Sequence, residues 1–97
     1  MPDPRTLETY VAWLTEGGHV QAVLDGGAAH ATVTRLHPGP DGALKVESRY
    51  LFASHSDFDR YEREHAPALR ADGVARFGNT PGVSFSRWTG DLVQAWP

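Results

Sequence analysis

The sequence predicts an α+β domain, a two-layer sandwich whose antiparallel sheet carries two helices on one face, in the order helix, strand, strand, helix, strand. Three observations predict it. Apolar residues recur at helical spacing near the start; two alternating stretches, parted by a turn-rich hexapeptide, follow; then an acidic and aromatic stretch runs into a proline.

In DPRTLETYVAWL, Asp3 is placed to cap a helix whose first turn holds Pro4, where a missing N–H costs nothing. Leu7, Tyr10, Val11 and Leu14 form one buried helical face, with Trp13 at its margin. EGG at 16–18 weakens this helix, HVQAVL adds a further turn or two, and DGG at 25–27 ends it. Residues 28–36, AAHATVTRL, alternate as a strand, with Ala29, Ala31 and Val33 on one side and His30, Thr32 and Thr34 on the other. HPGPDG at 37–42 turns the chain into a hairpin. In the returning strand, ALKVESRYLFA, Leu44, Val46, Tyr50 and Phe52 oppose Lys45, Glu47 and Arg49, so one sheet face is buried and the other polar.

Ser56 is the expected cap of a second helix, with Asp57 and Asp59 favourable in its first turn. Phe58, Tyr61, His65 and Leu69 lie along one side of it. Pro67 removes a backbone donor and biases Ala66 away from helical angles, so it ends or kinks the helix near His65. A short turn over PALRAD, closed by Gly73, is expected next, then a docked loop fastened by Arg76 and Phe77. NTPG at 79–82 makes a turn, and VSFSRW at 83–88 sets Val83 and Phe85 against Ser84, Ser86 and Trp88 as a third strand. DLVQAW either extends that strand or lies across a neighbour.

A single domain over residues 1–97 follows, large enough for one hydrophobic core. Its element order is the ferredoxin-like β-α-β-β-α-β arrangement without the usual first strand. That strand is central, and its omission uncovers sheet edges and apolar surface. Upstream residues, the tail or a partner chain, or a displaced last strand would fill the gap, and an altered sheet with partner contact is the expectation.

Composition narrows the function classes. A net charge of -3 leaves no excess of positive charge for phosphates, so nucleic acid is not an expected partner. The absence of cysteine removes disulfides, thiolate catalysis and cysteine-ligated metals. Neither a spanning apolar run nor a basic and apolar leader is present, so no membrane contact is expected and the cytoplasm is the default location. No cofactor is expected: the glycines of GGAAHATV precede a strand instead of opening a helix, and Ser54, Ser56, Ser84 and Ser86 lack a nucleophile elbow.

Two groups of residues bear on chemistry. His65 lies among Glu62, Arg63 and Glu64, where a carboxylate can tune an imidazole for proton transfer. Its place on the apolar side, just before a proline, reads instead as capping or packing. His19, His30, His37, His55 and His65 are too widely spaced for a zinc site. On the polar sheet face, His30, Arg49 and Trp88 are the candidate ligand-binding residues if two copies enclose that face, and the face is merely wet if they do not.

The stretches YVAWLTEGGHVQAVLDGG, ESRYLFASHSDFDRYEREHAPALRADGVARFG and FSRW resemble, over about residues 7–90, the bacterial domain-of-unknown-function family 4286, which is related in fold to the dimeric α+β barrels. Most specific is Tyr61 through Gly78: an aromatic, an acidic pair, His-Ala-Pro at His65 to Pro67, Leu-Arg at Arg70 and Arg-Phe-Gly at Arg76 to Gly78. The resemblance implies the fold and assigns no activity. Family members look as though a strand precedes the Trp-Leu helix, whereas here the helix lies a few residues from Met1. The expected function is a non-enzymatic module that forms a homodimer through its sheet. The alternative is a cofactor-independent small enzyme or small-ligand binder with a polar cavity between subunits, on fold analogy alone.

Overall fold

The computed structural model describes all residues 1–97 as four helices and one β-hairpin. Asp3 is extended and its carboxylate accepts from the Thr6 N–H at 2.7 Å, so helix α1 (Pro4–Leu14) begins where cap and proline are both favourable. Leu7, Val11 and Leu14 are buried at the expected spacing, and Trp13, placed at the margin by periodicity, is buried with them. The residues after Gly18 form a separate helix, α2 (His19–Asp25).

Strands β1 (His30–Arg35) and β2 (Val46–Leu51) pair antiparallel, from His30 opposite Leu51 to Arg35 opposite Val46. Cross-strand partners share a face, so Ala31 and Val33 lie with Tyr50 and Val46, while His30, Thr32 and Thr34 lie with Arg49 and Glu47. Val33 and Val46 rest against the core cluster of Trp13, Leu14 and Phe77.

Helix α3 (His55–Glu64) is capped by Ser54, whose Oγ accepts from the Asp57 N–H at 3.1 Å, and not by Ser56. The cap has to be the last extended residue, and Ser56 is already helical. His65 is the joint to helix α4 (Ala66–Phe77), with Pro67 in its first turn. Pro67 thus ends one helix by starting another, because its missing N–H is harmless there.

Gly73 does not close a short turn; α4 runs through it to Phe77. A side chain at position 73 would begin 3.3 Å from the edge of the Trp13 ring, so this glycine serves close packing between helices. Arg76 and Phe77 accordingly stand in the last turn of α4 and do not fasten a loop. The Phe77 ring meets Tyr10 and Trp13 at centroid distances of 5.1 and 5.4 Å.

The third strand does not form. The sheet has two strands, and residues 84–97 make no backbone-to-backbone hydrogen bond. Alternation in VSFSRW records a face that needs covering, and it is partly covered: Val83 reaches the core cluster and the Phe85 ring lies 6.0 Å from Tyr10. A strand also needs a neighbouring edge, which alternation cannot supply. The tail DLVQAW forms no strand either, so it does not replace the missing one. What stands is an α+β fold with a two-stranded antiparallel sheet. No helix is long and apolar enough to cross a membrane.

Candidate functional site

Helix α4 brings Asp72 to the side of α1, where its Oδ2 accepts from Trp13 Nε1 at 3.2 Å and its Oδ1 accepts from Arg76 Nε at 3.2 Å. His19, at the start of α2, stacks on Trp13 with centroids 4.2 Å apart. Its Nδ1 is buried without a hydrogen-bond partner. Burial lowers the pKa of His19, and the negative charge of Asp72 offsets this in part. An open depression of about 500 Å³ lies beside this group, lined by Trp13, Glu16, Arg76 and Phe77 among others. Sequence reading missed the constellation because Trp13 and Asp72 are 59 residues apart and share no motif. Thr9 supplies the one hydroxyl of the depression's lining, and the His19 imidazole and the Asp72 carboxylate tied to Arg76 lie beside it, outside the lining.

A second polar focus is Glu62 on α3. Both of its carboxylate oxygens accept from Arg70 Nη2 of α4 at 2.8 Å, and Oε1 also accepts from Arg87 of the C-terminal segment. That segment has a further tie, Asp91 to His55 Nε2 at 3.2 Å. On the other side, Arg35 of β1 holds Glu8 of α1 with two bonds of 2.8 and 2.6 Å, which keeps the Glu8 carboxyl below its ordinary pKa. Exposed pairs of this kind fix geometry more than they add stability.

The ligand-binding candidates part company. His30 and Arg49 share the polar sheet face, where Arg49 pairs with Glu47 at 3.1 Å. Trp88 is not on the sheet; it lies in the C-terminal segment, 87% exposed. Neither the depression beside Trp13 and Arg76 nor the smaller one next to it, at Arg5 and Thr80, includes any of the three.

His65 is exposed, and its backbone N–H donates to the Tyr61 carbonyl at 2.9 Å. Its ring lies near that of Tyr61 and against Gly26, where a Cβ would meet His65 Cγ at 3.0 Å and Tyr61 Cδ1 at 3.1 Å. The adjacent charges are engaged elsewhere: Glu62 with Arg70 and Arg87, and Glu64 with Arg63 at 4.0 Å. His65 therefore has the surroundings of a packing residue at the α2 to α4 contact. Nowhere do three or more histidines and carboxylates gather in a way that could hold a metal ion.

The most conspicuous surface is apolar. Trp88, Leu92, Val93 and Trp96 all stand exposed on the C-terminal segment, Val93 at 94%. Comparison of this chain with protein-family models, with curated proteins and with solved structures returns no match.

Proposed function

We propose that this chain is a non-enzymatic, self-associating module whose working form is a homodimer built through the sheet and the C-terminal segment. The observation that carries this reading is surface. The chain exposes 7102 Å², against roughly 5,500 Å² for a compact monomer of its mass. Its radius of gyration is 14.3 Å, where about 12.5 Å suits its length. The excess of about 1,600 Å² exceeds the ~800 Å² per partner that a standard interface buries. Exposed apolar side chains recur along the C-terminal segment at Trp88, Leu92, Val93 and Trp96, and exposed apolar surface of this kind marks interaction sites.

The ferredoxin-like order and the resemblance of residues 61–78 to a domain family belong to the same proposal: the α-β-β-α-β arrangement describes the assembled form, in which the sheet gains a strand. Light scattering on the intact chain over a tenfold concentration range tests it. Twice the chain mass of 10.6 kDa is expected, and a mass of one chain throughout would refute the reading.

A further inference from the structure

A dimer through the sheet and the C-terminal segment leaves open how the two copies join. We infer that residues 83–96 are an exchangeable arm, and that Val83–Trp88 pairs as a β-strand with a free sheet edge of a second copy. This rests on the self-association reading and gives it a mechanism.

The arm has the chemistry of a strand without the bonds of one. Val83 and Phe85 alternate with Ser84 and Ser86, yet no backbone group from residue 84 onward bonds to another backbone group. The sheet is the complementary case: it has two strands, hence two edges whose outward N–H and C=O groups have no strand partner. Strand addition would satisfy both sets of backbone groups at once.

What holds the arm on its own body is releasable. The ties identified are apolar contact at its root, through Val83 and Phe85, and two exposed ion pairs, Arg87 with Glu62 and Asp91 with His55. Such pairs are screened by salt and weak in water. The occupant of the edge is a second copy because each copy carries both halves of the pairing, a strand pattern without backbone bonds and a sheet edge without a strand partner. The surplus surface also exceeds the ~800 Å² that one partner buries in a standard interface. Exchange releases Val83 and Phe85 from their own core, and the arm swings out from Gly82. Two identical arms exchanged in this way close a two-fold dimer and leave nothing to propagate.

The test uses the full chain and the double variant Ser86→Pro/Arg87→Pro. Both positions lie within Val83–Trp88 and have opposite pleat parity, so one of the lost N–H groups points at the partner edge whichever way the strand faces. Neither backbone N–H is hydrogen-bonded in the single chain and both residues lie outside the helices, so its helical circular dichroism should be unchanged. The expected result is a wild-type dimer and a variant that stays monomeric at concentrations where the wild type is fully dimeric. A variant as dimeric as the wild type would overturn the arm and leave self-association standing; a monomeric wild type would overturn both.

Hydrogen exchange on the wild type decides the matter should the variant lose its helices. Protection of the amides of residues 84–88 in concentrated solution supports the arm, and exchange there at the unstructured rate overturns it.

Discussion

The two halves of this molecule spend their apolar residues differently. Among α1, α2 and α4, Leu14 and Val23 are 1% exposed, and Leu14 clusters with the Trp13 and Phe77 rings, against which Tyr10 packs. In the C-terminal segment, Leu92 and Trp96 are as apolar and lie open. The difference is one of backbone as much as of side chains. A helix satisfies its own N–H and C=O groups and needs only a face to pack, whereas a strand needs a neighbour before it exists at all. The helical half closes on itself, and the sheet half ends in two edges without a strand partner.

The largest expected effect sharpens this contrast. Leu14→Ala removes a fully buried side chain and should cost about 2–5 kcal/mol in chemical unfolding. Leu92→Ala, made on the open segment, should stay within about 0.5 kcal/mol under dilute, monomeric conditions. Equal costs for the two would erase the distinction between the halves.

Next is the joint between α2 and the α3–α4 turn. Gly26 has ordinary helical angles, so Gly26→Ala adds only a methyl, but that methyl meets His65 and Tyr61 at 3.0 and 3.1 Å. A loss of about 1–3 kcal/mol is expected from overpacking, and Gly26→Ala/His65→Ala should recover part of it. A neutral or stabilising Gly26→Ala would mean that His65 does not pack there.

The smallest effect concerns acid. Folding depresses the pKa of His19 below its ordinary 6.5, chiefly through burial. Its contribution to stability is therefore complete above about pH 6.5 and is lost as pH falls below it, where the unfolded chain binds the proton more readily. Urea midpoints should decline from pH 6.5 downward, and His19→Phe should flatten that slope. The Glu8 carboxyl, depressed from 4.5 by Arg35, contributes its own decline at lower pH.

What was legible in the sequence was what is local. The Asp3 cap with Pro4, the hairpin with its alternating faces and the stop at Pro67 are each decided by a few neighbouring residues, and the structure has all three. Where two local signals were equivalent, tertiary context chose: Ser54 over Ser56 as cap, and Gly73 as a packing residue under Trp13 in place of a helix end. The expected strand at 83–88 failed because its pattern is local but its partner is not. In the same way, no spacing rule joins Trp13 to Asp72 or Glu62 to Arg87; only the fold does.

The three tryptophans allow both halves to be read in one sample, since Trp13 is buried in the helical core while Trp88 and Trp96 lie on the open segment. Acrylamide quenching of their fluorescence, measured from dilute to concentrated protein, tests the central claim directly. The account predicts two quenchable tryptophans at high dilution and protection of the arm as concentration rises, with Trp13 shielded throughout. Quenching that does not change with concentration would contradict it, for the apolar segment would then remain open to water with no second copy to cover it.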